Sequence, residues 1–241
     1  MLRAVRTREL LASAVTADGA TITLFREPDG FVVRLGNEVL MGSRVSGSER
    51  EMAEVAAAAL VGRPQPRVLV GGLGMGFTLR SVLDALGDDA QVVVAELLPC
   101  VVEWNRGVLA PLSQAALDDP RVRLETVDIA DYLALHKSSF DAVLLDVDNG
   151  PEAFSAPGNA RLYTPAGLAI LRAALRPGGV LVVWSAFASN AFVKALARAG
   201  FNGAQMLTVR ARSNTRKGSR HTLFVARSGS SKKPRPGGVS V

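Results

Sequence analysis

At 241 residues and 48% hydrophobic, the chain suits one large domain with a small appendage, and its single cysteine, Cys100, excludes an intramolecular disulfide framework. No apolar run reaches the length of a membrane span, and the basic start, Met1 to Leu11, lacks the continuous apolar segment of a signal peptide, so a cytoplasmic protein is expected. The net charge of +6 does not argue for nucleic acid, because nine of the 28 Lys/Arg and none of the 22 Asp/Glu lie from Arg210 onward, leaving 19 basic residues in 1–209. The body is mildly acidic. The basicity sits in a loop, 210–220, and in a tail, 228–241, whose Ser, Gly, Lys and Pro predict disorder and which no aromatic stacking platform accompanies.

In chain order, Thr21 to Arg26 and Phe31 to Gly36 alternate apolar and polar residues around Pro28-Asp-Gly30, which predicts a hairpin, with Glu38 to Met41 as a third short strand. Ser48, with Glu51 three residues on, reads as the N-cap of an alanine-rich helix running to Val61, which Arg63-Pro-Gln-Pro66 breaks. Residues 1–62 are thus expected to form a small β region and a lead-in helix. From 63 to 227 the pattern alternates. Strands near 67–71, 91–95, 121–127, 140–146 and 179–185 are separated by helices near 77–86, 99–109, 129–136, 164–175 and 190–199. The strands are apolar without alternation, which indicates a mainly parallel α/β sheet covered on both faces. Phe201 to Val209 and His221 to Arg227 are joined without a helix, so the last strand is expected to return antiparallel.

The most informative stretch is Arg67-Val-Leu-Val-Gly-Gly-Leu-Gly-Met-Gly76, a strand running into a glycine cluster that opens a helix. Backbone that turns sharply and approaches a ligand needs glycine, so Gly71, Gly72 and Gly74 are candidates for the floor of a ligand site. No Gly-Lys-Ser/Thr follows, which argues against a P-loop. Three carboxylates, Glu96, Asp128 and Asp146, end successive strands at the edge where ligands bind in open α/β sheets, and together they argue for a nucleoside. Glu96 lies where an acid would accept from both ribose hydroxyls. Asp128 either caps the next helix, accepts from an adenine amino group, or does both, and Asp131 is expected in solvent. Asp146-Val-Asp-Asn-Gly-Pro151 holds the strongest catalytic candidate, Asp146, although that run also reads as a simple turn. His136 and His221 lack ligand spacing, so no metal is expected. His136 reads as a surface residue, Cys100 as packing, and Trp104 and Trp184 as core or pocket lining.

These residues resemble the spermidine synthase family of aminopropyltransferases. Glu96-Leu-Leu-Pro-Cys-Val-Val-Glu103 is similar to that family's Glu-Leu-Asp-Pro-x-Val-Val-Glu, Val127-Asp-Ile-Ala-Asp-Tyr-Leu133 to its Gly-Asp-Ala-x-x-Phe-Leu, and Arg176-Pro-Gly-Gly to its entry into the fifth strand. The resemblance covers about residues 20–226. It implies a Rossmann-like, seven-stranded methyltransferase-type sheet with a C-terminal antiparallel hairpin and a preceding N-terminal β region used for homodimer contacts. It also implies aminopropyl transfer from decarboxylated S-adenosylmethionine to a polyamine amine, without a metal. In that reading Glu96 holds ribose, Asp128 meets adenine, and Asp146 receives or orients the amine proton. Asp148 or Glu49 would hold the other cationic amine, with Tyr163 on the substrate side beyond the loop.

Three departures touch the substrate half of the site. Gly74 stands where the family's Gly-Gly-Gly-Asp-Gly has its Asp, Glu49-Arg50-Glu51 replaces Tyr-His-Glu, and the gate loop is shortened to Asp146–Pro151. Methyl transfer from S-adenosylmethionine, or a non-catalytic nucleoside- or polyamine-binding paralogue, are the alternatives.

Overall fold

The computed structural model describes residues 8–147, 150–151, 157–210 and 219–229. The N-terminal region is a four-stranded antiparallel sheet in the order β1 (Glu9–Val15), β2 (Thr21–Glu27), β3 (Gly30–Leu35) and β4 (Glu38–Gly42). The hairpin falls at Pro28-Asp29, with Glu27 opposite Gly30. One strand more is present than the sequence reading expects. The run Glu9 to Val15 alternates weakly, and it becomes a strand by pairing along β2, from Glu9 opposite Arg26 to Val15 opposite Thr21. Ile22, Leu24 and Val33 turn one face of this sheet into the core.

Helix α1 (Gly47–Leu60) corrects a second expectation. Its N-cap is Ser46, not Ser48, and Ser46 makes no side-chain capping bond. Ser48 lies inside the first turn, 1% exposed, with its hydroxyl engaged elsewhere. The buried stripe of α1, Met52, Ala53, Ala56 and Leu60, packs with Val68, Val70, Val180 and Val182 of the larger sheet.

That sheet has seven strands in the order β10 (Asn202–Arg210), β11 (Arg220–Arg227), β9 (Leu175–Ser185), β8 (Phe140–Leu145), β5 (Arg67–Gly71), β6 (Gln91–Glu96) and β7 (Val122–Thr126). Strands β5 to β9 run parallel, and β11 is antiparallel to both β9 and β10. Every residue of β8 is buried, as its unbroken apolar run requires between two helical layers. Helices α1, α2 (Phe77–Ala85) and α3 (Pro99–Arg106) share one core cluster; α4 (Ile129–Leu135), α6 (Pro165–Ala174) and α7 (Asn190–Arg198) share the other. The short α5 (Pro157–Ala160) precedes a 3-10 turn at Arg161–Tyr163.

Strand order reverses at β5 and β8. Crossovers leave in opposite directions there, which opens a crevice beyond their carboxyl ends. At the opposite edge Asp141, 3% exposed, accepts from Arg63 Nη1 at 2.7 Å, Arg176 Nη1 at 2.7 Å and the Arg67 amide at 2.9 Å. This buried carboxylate therefore ties the starts of β5, β8 and β9 together.

Candidate functional site

The glycine loop follows β5 directly into the crevice. Gly72 has φ +83°, and a Cβ there would collide with the Asp146 carbonyl oxygen, so the loop and the end of β8 touch backbone to backbone. Gly74 has φ +54°, and its Cβ position is open apart from Met41 Sδ at 3.8 Å. Gly71 answers a different demand: the Ile129 side chain of α4 occupies the place of a Cβ. Of the three candidate floor residues, Gly74 alone faces open space.

Glu96, at the end of β6, is 7% exposed. Its Oε2 accepts from the Leu73 amide and its Oε1 from the Leu98 amide, each at 2.8 Å. Burial pushes its carboxyl upward, and these amides oppose that shift. The side chain thus pins the glycine loop to β6. The Leu97 and Gly74 amides also act on this carboxylate and favour its charged form.

Asp128 follows β7 and caps α4, accepting from the Ala130 amide at 2.7 Å and the Asp131 amide at 3.4 Å. It also pairs with Arg161 Nη2 at 2.5 Å, while Arg161 Nη1 reaches Asp131 at 2.9 Å. Asp131 is exposed, as expected, yet it is held in an ion pair. Arg161 lies far from Asp128 in sequence, and no local pattern announces it.

Asp146 is placed at the switch point. Its backbone amide donates to the Gly71 carbonyl at 2.9 Å, and its Oδ2 accepts from the buried Thr78 hydroxyl at 2.6 Å. Thr78 sits in the first turn of α2, where the helix dipole favours a negative charge. Glu49, in the first turn of α1, comes to the same place from the other side of the chain. Burial, and then the negative charge of Asp146, push its carboxyl from 4.5 up to about 7, and the Ser48 hydroxyl partly offsets this. The structure therefore places Glu49 within electrostatic reach of Asp146, 97 sequence positions away.

Asp148 lies outside the described residues. Tyr163 closes the 3-10 turn before α6, and its ring meets Phe192 of α7 edge-on, with centroids 5.6 Å apart. His221 was given no role by its spacing, yet its Nδ1 lies 2.9 Å from Ser48 Oγ and its ring stands edge-on to Trp184 at 4.7 Å. Burial lowers its pKa. His136 is not a plain surface residue: it stacks on Tyr132 at 4.0 Å and donates from Nδ1 to the Tyr132 carbonyl at 2.7 Å. Cys100 packs against the core, and burial raises its thiol, which disfavours the thiolate.

No family model matches the chain. Over 130 residues it is 38% identical to polyamine aminopropyltransferase 2 of Pseudomonas aeruginosa, covering 52% of this chain and 35% of that one. It is 37% identical over 119 residues to the polyamine aminopropyltransferase of Mycobacterium tuberculosis, covering 48% and 22%. The match spans well under half the length of these curated relatives. Among solved structures, spermidine synthase from Thermotoga maritima superposes with a TM-score of 0.72 at 22% identity, covering 92% of this chain and 73% of that one. A carbon methyltransferase, CurJ, superposes at 0.53 with 17% identity, covering 78% and 55%. These structural likenesses show the fold.

Proposed function

We propose, on the premise that the chain is spermidine synthase-like in sequence and fold, that it transfers an aminopropyl group from decarboxylated S-adenosylmethionine to a polyamine amine. The observation that carries this reading is Asp146, whose backbone touches the glycine loop at the sheet's switch point, with Glu49 within its electrostatic reach. The donor fits the crevice on one structural count: positive φ at Gly72 and Gly74 lets backbone approach a ligand there, and the space above Gly74 is open.

In this reading Gly71, Gly72 and Gly74 lie under the sulfonium end, Glu96 takes ribose hydroxyls, and Asp128 faces adenine. A neutral thioether leaves without acid assistance, so the protein must supply a neutral amine in line with the carbon beside sulfur. Two carboxylates in one crevice attract a cationic polyamine. Asp146, fixed by Thr78, orients the amine, and Glu49, with its carboxyl near 7, can take a proton at neutral pH. Asp148 and Tyr163 belong on the amine side. The division at residues 62 and 63 separates the amine-side β region from the nucleoside-binding unit. The tail expected from 228 onward begins later, because Ser228 is buried, its amide donating to the Gly179 carbonyl at 2.8 Å and its hydroxyl to the Arg176 carbonyl at 2.6 Å; residues 230–241 lie outside the described residues. A cytoplasmic homodimer completes the proposal, supported by exposed Val39 and Leu40 on edge strand β4 and by the single cysteine.

Methyl transfer from S-adenosylmethionine is the second reading, and Gly74 favours it. No carboxylate projects from that position to hold an aminopropyl ammonium. Incubating the protein with putrescine and each donor in turn decides between them. Methylthioadenosine from the decarboxylated donor supports aminopropyl transfer, whereas S-adenosylhomocysteine alone overturns it.

A further inference from the structure

Ser48, 1% exposed, adjoins Glu49, and its one hydroxyl proton faces two partners. Its Oγ is 2.7 Å from Glu49 Oε2 and 2.9 Å from His221 Nδ1. A hydroxyl donates once, so the three groups must agree on a direction. When Glu49 is a carboxylate, Ser48 donates to it, and His221 must donate from Nδ1 to Ser48. When Glu49 carries a proton, it donates to Ser48, Ser48 donates to Nδ1, and the ring proton moves to Nε2. The ring is half-buried and stands edge-on to Trp184.

We propose that Glu49, Ser48 and His221 form a proton exit route from the amine site, in which Ser48 and His221 are positioning residues. The need for one follows from atom balance and rests on the transfer reading. The amine arrives as an ammonium and gives one proton to Glu49. Its lone pair then forms the new N–C bond as the C–S bond breaks, and that electron pair stays on the neutral thioether sulfur. The product nitrogen is again an ammonium, so one proton per turnover must leave. Passing it from Glu49 to Ser48, and from Ser48 to Nδ1, releases a different proton from Nε2 and resets Glu49 as a base. Asp146 at the end of β8 is the charged group that acts on Glu49. On the β10–β11 side, Arg220 precedes His221 and stands opposite Arg210.

The test is 15N NMR of the full-length chain without donor or amine, with ring nitrogens followed from about pH 5.5 to about pH 8.5. The chain has two histidines, so a His136→Gln variant assigns the signals. The route predicts that the His221 proton sits on Nδ1 at the alkaline end and moves to Nε2 as Glu49 protonates. An imidazolium, protonated at both nitrogens, is a separate signature at lower pH. Ser48→Ala should uncouple the ring from Glu49 and abolish the exchange, and Glu49→Gln, which cannot titrate, should hold one tautomer throughout. A single tautomer across the range in the unaltered protein, or an exchange that persists in either variant, overturns the proposal. Because no donor is present, this result stands apart from the transfer assay: formation of S-adenosylhomocysteine alone would sink the transfer reading and leave the tautomer exchange as measured.

Discussion

Replacing Glu49 by glutamine keeps the side chain's shape and its bond to Ser48 while removing a charge that the site resists. The Glu49 carboxyl is raised from 4.5 to about 7, first by burial and then by Asp146. The unfolded chain therefore releases this proton near 4.5, while the folded protein holds it until about 7. Stability from this group is fully present below about pH 4.5 and is lost as pH rises through about 7, because the folded state binds the extra proton in that window. A shift of that size corresponds to at most about 3 kcal/mol at alkaline pH. Glu49→Gln should thus stabilise the protein by up to about 3 kcal/mol at about pH 8, and by much less at about pH 5, where the unaltered side chain is neutral in the fold. Urea unfolding of both proteins at the two pH values measures the difference. An equal effect at both pH values, or a loss of stability at the higher one, would refute the argument that Glu49 is held as an unwilling anion beside Asp146.

Gly72→Ala should fail on two counts, a Cβ driven into the Asp146 carbonyl and a left-handed φ that costs about 1–2 kcal/mol for a non-glycine residue. Urea unfolding and calorimetry with methylthioadenosine should both show losses. Asp141→Ala leaves Arg63 and Arg176 without their shared carboxylate and should cost roughly 3 kcal/mol, the low end for a broken buried pair because both guanidiniums keep some water. It lies at the opposite edge of the sheet, so methylthioadenosine affinity of the folded fraction should not change. Asp128→Ala should cost about 1 kcal/mol through loss of the α4 cap, and Asp128→Asn much less, since asparagine also caps. Chemical unfolding distinguishes the two variants.

The larger sheet was legible because its signals are local. Phe140 to Leu145 reads as a strand buried on both faces, and it is one. The lack of a helical sequence pattern between Val209 and His221 likewise announces the antiparallel return, which β10 and β11 make. Strand β1 was not legible, since its weakly alternating residues become a strand only against β2. Ser48 shows the limit most clearly. Ser48 and Glu51 have the spacing of a capping box, but the hydroxyl turns instead to His221, 173 positions away, a contact that no window of sequence contains. Arg161 escaped notice for the same reason, because its partners Asp128 and Asp131 meet it only through the packing of α4 against α6 and the turn before it. Glu49 stands between these cases. The resemblance pointed to its region, but its raised carboxyl follows from burial beside Asp146, a fact of three dimensions.

The most direct test of the account compares the unaltered protein with Asp146→Asn, using decarboxylated S-adenosylmethionine and putrescine and following methylthioadenosine. The amide keeps the shape and the Thr78 contact but loses the charge that orients the amine and raises the Glu49 carboxyl. The account predicts methylthioadenosine from the unaltered protein and a rate lower by roughly 100-fold or more in the variant, the scale of a misoriented reactant, with methylthioadenosine still binding to both. Normal turnover by Asp146→Asn, or no methylthioadenosine from the unaltered protein, would contradict it.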